Sequence, residues 1–118
     1  MQYLILIYSN EAEAPHPETP EDFAAYMQPW TDYTDNLKAA KVYVGGEALE
    51  LTTTATTITS VGSSEPVFTD GPFAETREQL GGYYLLDCKD LDEALAWGAK
   101  CPAVEYGKIE VRPIMNIG

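Results

Sequence analysis

The sequence predicts an α+β fold of the split βαβ type, in which an antiparallel sheet carries its helices on one face. Three observations lead to it: an N-terminal strand apolar on both faces, two separate helical stripes, and a threonine-rich hairpin signal between them.

Tyr3–Tyr8 is apolar without alternation and rich in strand formers, which predicts a central strand buried on both sides. Ser9–Thr19 follows with Glu11, Glu13 and Glu18 around Pro15-His16-Pro17 and no period of either kind, and reads as a loop. Thr19 can cap a helix that has Pro20 at its first position and Asp22 at its third. Phe23, Tyr26, Met27, Trp30, Tyr33 and Leu37 then form one helical stripe. Pro29 removes a backbone donor inside that stripe, so a kink or restart is expected near Gln28, with the stripe on both sides favouring the kink.

Val42-Tyr43-Val44 begins a second strand running into Gly45-Gly46-Glu47. Thr52–Val61 and Val67-Phe68 read as a hairpin about Gly62-Ser63-Ser64, with threonines on a solvated face. Tyr83–Cys88 is the next strand. Asp90 with Glu93 makes a cap pair for a helix carrying Leu91, Ala94, Leu95 and Trp97, which Pro102 ends. In Lys108–Ile114, Ile109 and Val111 alternate with Glu110 and Arg112 as in a half-buried strand. The order is βαβ, an inserted β-hairpin, then βαβ again, which matches ferredoxin-like folds. Two helices cover only one face of such a sheet. Because the first strand is apolar on both faces, the other face calls for a second copy of the chain, and a homodimer is expected.

A length of 118 residues suits a single domain, 1–118, with enough core to fold without staples. With 45% hydrophobic and 22% charged residues the composition is that of an ordinary globular chain. Nineteen acids against seven bases give a net charge of −12, which repels phosphate backbones and anionic lipid, so neither nucleic acid nor membrane is an expected partner. A basic protein partner or a locally positive pocket is compatible with that charge. Cys88 and Cys101 form no CxxC pair, lie in segments that read as packed, and are expected to be reduced and buried. Tyr3–Tyr8 is too short to span a membrane and has neither the basic flank nor the cleavage site of a secretion signal, so a cytoplasmic location is expected.

Thr69-Asp70-Gly71-Pro72-Phe73-Ala74-Glu75-Thr76-Arg77-Glu78-Gln79-Leu80-Gly81-Gly82-Tyr83-Tyr84-Leu85-Leu86-Asp87 gathers a turn dipeptide, acids, an arginine and a diglycine ahead of an apolar strand. With the Tyr3 strand, Gly45-Gly46-Glu47 and the Ile109–Pro113 ending, it resembles the YCII-related, or DGPF-domain, family of small bacterial proteins over nearly the whole chain. The resemblance implies a ferredoxin-like α+β fold that dimerises, in a family whose members mostly lack an assigned reaction. The fold resembles the dimeric α/β barrel group, which hosts isomerases, lyases and monooxygenases that work without metals. Some members resemble one another in carrying a His–Asp pair with the histidine on the first helix. Here that helix has Trp30, Tyr33 and Thr34 and no histidine, so the pair does not carry over. Some DGPF-domain relatives look like neighbours or fusion partners of extracytoplasmic-function sigma factors.

Asp70-Gly71-Pro72 is first of all a turn, and Asp70 held there beside Glu75, Arg77 and Glu78 is also a candidate acid or base at a pocket rim. Arg77 can pair with one of those carboxylates or hold an anionic substrate. The diglycines suit a bulge or bend as well as a ligand, and Glu47 beside one of them is the second candidate acid. Tyr26, Trp30, Tyr33, Tyr83 and Tyr84 suit sheet packing, and a buried tyrosine hydroxyl needs a partner. Tyr33 or Tyr83 reaching Asp70 would make a polar cluster in an aromatic cavity. His16, the only histidine, sits in the acidic loop without ligand spacing, and no metal or cofactor is assigned. No nucleophile elbow is present.

The expected function is binding of a small organic molecule, with cofactor-independent acid/base chemistry by Asp70 or Glu47. Glu75, Arg77, Trp30, Tyr33 and Tyr83 would be its ligand-binding residues. The other reading is a non-catalytic interaction or regulatory module.

Overall fold

The unbroken apolar run at the N-terminus becomes β1 (Gln2–Ser9), and in the computed structural model, which describes all 118 residues, it accepts a partner strand on each side. The chain continues through α1 (Pro20–Ala39), β2 (Tyr43–Ala48), the hairpin β3 (Thr56–Thr59) and β4 (Val67–Asp70), β5 (Gln79–Asp87), α2 (Leu91–Ala99) and β6 (Lys108–Pro113). The main sheet is antiparallel with order β2-β5-β1-β6, which makes β1 central. This is a ferredoxin-like α+β arrangement with an inserted hairpin.

The helix ends follow from local chemistry. The Thr19 hydroxyl accepts the Asp22 N–H at 3.0 Å, Pro20 supplies no donor where none is needed, and Lys38 stands in the last turn. The helix runs through Pro29 without restarting. At α2 the Asp90 carboxylate caps the helix by accepting the Glu93 N–H at 2.9 Å, and the Glu93 carboxylate accepts the N–H of Lys89, the residue before the cap, at 2.9 Å.

Both helices lie on the same face. A Cβ on Gly98 of α2 would sit 3.0 Å from Val111 and 4.0 Å from Ile5, while Tyr33 of α1 meets Tyr84 of β5 edge-on at 5.4 Å. Ile5, Leu37 and Leu86 are fully buried there, in one cluster with Tyr3, Tyr33 and Tyr84. Cross-strand pairing puts Leu4, Leu6, Tyr8, Tyr83, Leu85 and Glu47 on the opposite face, which carries no helix.

The diglycines serve the sheet. Gly81 is the extra residue of a bulge against β1, and a second irregularity lies between Tyr43 and Gly45. Gly46 and Gly82 are crowded: an added Cβ would lie 2.8 Å from the Tyr83 carbonyl in the first case and 2.9 Å from the Glu47 carbonyl in the second. The hairpin is shorter than the threonine run suggests, because Thr52–Thr54 turns as a 3₁₀ segment whose Thr52 N–H and hydroxyl both donate to the Glu11 carboxylate, at 2.9 and 2.8 Å. Beyond that anchor β3 and β4 pair only with each other and project as an arm. A radius of gyration of 16.5 Å, against about 13–14 Å for a compact domain of this length, reflects that projection.

Crowding at Gly46 and open space at Gly45 give opposite expectations for one substitution. Gly46→Ala should cost about 1–3 kcal/mol, whereas Gly45→Ala should change stability by less than about 1 kcal/mol. Urea denaturation of the two variants decides this, and equal midpoints would refute the close approach at Gly46.

Candidate functional site

One turn of helix separates Tyr26 from Trp30, Trp30 from Thr34 and Thr34 from Lys38, so these four side chains project from one stripe of α1. The stripe faces the glycine-floored edge of the sheet. Between them lies a cavity of about 490 Å³, walled by Tyr43 and Tyr84 and floored by Gly46, Gly81 and Gly82. Only Tyr33 and Leu37 of α1 are buried in the core, so the first half of the helix stands away from the sheet.

Two hydroxyl pairs border the cavity. Thr34 and Tyr84 share a hydrogen bond of 2.8 Å, and Tyr26 and Tyr106 share one of 3.2 Å. Burial raises the phenol pKa of Tyr84, against the smaller lowering by Thr34, and burial likewise raises that of Tyr106. Both phenols therefore remain neutral donors under physiological conditions. Each pair has two hydroxyl protons and consumes one internally, which leaves one to offer a ligand acceptor. Lys38 Nζ lies 5.1 Å above the Tyr43 ring and takes part in none of the three ion pairs, which are Met1–Asp87, Lys108–Glu78 and Arg112–Glu110.

The residues singled out from sequence separate in space. Trp30 lines the cavity, and Tyr83 and Glu47 border its floor, although pairing with each other places both side chains on the helix-free face. Tyr33 instead borders a neighbouring groove of about 510 Å³ between the two helices, with Trp97 and Lys100. Its hydroxyl donates to the Trp97 carbonyl at 2.7 Å, so the proposed link to Asp70 is replaced by a bond that ties α1 to α2.

Asp70, Glu75 and Arg77 are exposed and outside both cavities. The turn itself is plain: Gly71 adopts φ +96, its N–H donates to the Ala55 carbonyl at 2.7 Å and its carbonyl accepts from Thr57 at 2.8 Å. Glu78 pairs with Lys108, so it is not the partner of Arg77.

His16 is exposed and its Nε2 meets the Glu11 carbonyl at 2.6 Å. No three histidine, cysteine, aspartate or glutamate side chains converge in metal-binding geometry. No helix is long and apolar enough to cross a membrane. Tyr43, Thr34, Lys38 and Tyr106 were not singled out as site residues. The four-residue repeat Tyr26–Trp30–Thr34–Lys38 was the signal for two of them.

Cys88 and Cys101 are free and each 2% exposed, as expected. Burial, with Glu93 and Asp87 nearby, pushes the Cys88 thiol up to about 11, and burial raises that of Cys101. Both should resist a thiol reagent at pH 8 in the native protein and react fully in urea. Rapid native labelling of either would contradict this packing.

The YCII-related domain model matches residues 1–117. An uncharacterized protein of Rhizobium meliloti (strain 1021) is 34% identical over 116 residues, covering 97% of this chain and 92% of its own. A match over nearly the full length leaves one conclusion: the chain belongs to the YCII-related family.

Proposed function

We propose that this YCII-related protein binds a small organic molecule in the cavity between α1 and the β2–β5 edge of the sheet. The observation that carries this reading is the coincidence, in one space of about 490 Å³, of aromatic walls, a glycine floor and two hydroxyl pairs with a proton to spare. That combination of a largely apolar lining and a few fixed donors is what small-molecule sites use. Proton transfer without a cofactor is the reaction class such a site would support. Of the two carboxylates considered for it, Glu47 borders the cavity floor with its side chain directed to the helix-free face, and Asp70 lies on the arm.

We further propose that the chain acts as a homodimer closed over the helix-free face. Leu4, Leu6, Tyr8, Tyr83 and Leu85 form an apolar stripe there, and the charges of β6 are answered within the protomer by Arg112–Glu110 and Lys108–Glu78. The arm adds a second reason. Ile58 and Phe68 share one of its faces at 58% and 66% exposure, and Phe73 at its base is 88% exposed. An isolated two-stranded hairpin is marginal in water, so these side chains favour a covering chain. The exposed arm and the charge of −12 also support a second reading, a non-catalytic module that docks on a basic protein, and salt-sensitive capture would distinguish it.

Light scattering after size exclusion should give twice the chain mass of 13.0 kDa at micromolar concentration; a clean monomer would sink the dimer. Thermal unfolding across a library of aromatic acids, phenols and quinones tests the cavity. A ligand at a hundred times its Kd should add about 2.7 kcal/mol of stability. Thr34→Val should weaken any hit by roughly tenfold, the worth of one lost hydrogen bond. Hits indifferent to Thr34→Val would place binding elsewhere.

A further inference from the structure

We propose that the ligand of this cavity is an elongated, planar aromatic anion, with its charged group at Lys38 and its ring system beside Trp30; the inference rests on the cavity being a binding site. The stripe Tyr26, Trp30, Thr34, Lys38 covers twelve residue steps, a length of roughly 18 Å at about 1.5 Å per residue. Its chemistry changes in order along that length. A phenol pair is at one end, an indole follows, then a Thr–Tyr hydroxyl pair, and an ammonium group stands at the other end.

Lys38 is the one cation among the lining residues. It belongs to a chain with only seven bases against nineteen acids, yet it makes no ion pair. Its side chain is exposed, and its position over Tyr43, which packs against Tyr84 at 6.3 Å between ring centres, sets the ammonium at the cavity rim. Two carboxylates border the same space. Glu47 pairs across the strands with Tyr83 and so directs its side chain to the other face, and Asp35, on the neighbouring stripe of α1, is exposed and has no hydrogen-bond contact with Lys38. The ammonium is therefore available to a ligand.

The rest of the lining selects shape. Gly81 and Gly82 leave their part of the floor without side chains, and at Gly46 the Tyr84 ring packs against the backbone, where a Cβ would meet its Cδ1 at 2.9 Å. Opposite the floor stand Trp30 and Tyr26 of α1, and Tyr84 of β5, the cross-strand partner of Gly46, walls the side. A planar ring system fits between such surfaces, and a carbonyl or hydroxyl on it meets the proton left over by Thr34 and Tyr84.

Calorimetric titration with 2-naphthoate and 2-naphthamide tests this, because the two probes share a ring system and differ in charge. The wild-type protein should bind the carboxylate at least about fivefold tighter than the amide, within the range of a charge-assisted hydrogen bond. Lys38→Met should remove that preference while still binding the amide, and Lys38→Arg should keep it. Circular dichroism of the variants establishes that they fold. Equal affinities in the wild type, or a preference that survives Lys38→Met, would overturn the anionic class and leave the cavity standing. Failure of both probes to bind would overturn the cavity reading as well.

Discussion

Tyr84 stands where the core and the cavity meet, and much of the structure is arranged around its ring. The ring packs edge-on against Tyr33 of α1 at 5.4 Å and against Tyr43 of β2 at 6.3 Å, so one side chain holds a helix and an edge strand in register with β5. Its hydroxyl is satisfied by Thr34, and no buried side-chain polar atom in the protein lacks a partner. Leaving that hydroxyl unpaired would cost about 1–3 kcal/mol. Gly46 is glycine for the same reason: a Cβ there would meet Tyr84 Cδ1 at 2.9 Å.

From this point outward, the two helices cover the sheet unequally. α2 comes down closely on β6 and β1 because Gly98 has no side chain to hold it off. α1 is anchored near its C-terminal half by Tyr33 and Leu37, while Phe23 and Met27 remain 55% and 36% exposed. Large aromatic side chains on one wall and glycines on the other leave a gap that neither fills. The cavity is thus a consequence of how the core is packed and not of a separate lobe.

The charge distribution has two scales. A net −12 sets a repulsive field for anions at a distance, screened beyond roughly 10 Å at ordinary salt. At the cavity rim the one full charge on the stripe of Tyr26, Trp30, Thr34 and Lys38 is the Lys38 ammonium. Composition describes the first scale, and only placement describes the second.

Local rules were enough to read much of this protein from its sequence. An unbroken apolar run marked β1, period marked α1 and β6, side-chain oxygens of Thr19 and Asp90 marked the helix starts, and Gly71 marked a turn that needs positive φ. These depend on residues a few positions apart, where one conformation outcompetes the rest. The site was not legible in that way. Thr34 and Tyr84 are 50 residues apart, Tyr26 and Tyr106 are 80, and the Tyr33 hydroxyl finds a carbonyl 64 residues on. The most conspicuous motif, around Asp70, folds onto an arm outside the cavity, because turn geometry settles its shape and says nothing of its neighbours. Sequence by itself determined the elements and their order. Tertiary structure alone decided which aromatic rings became core and which became wall, since that depends on where Gly46 and Gly82 allow two backbones to approach.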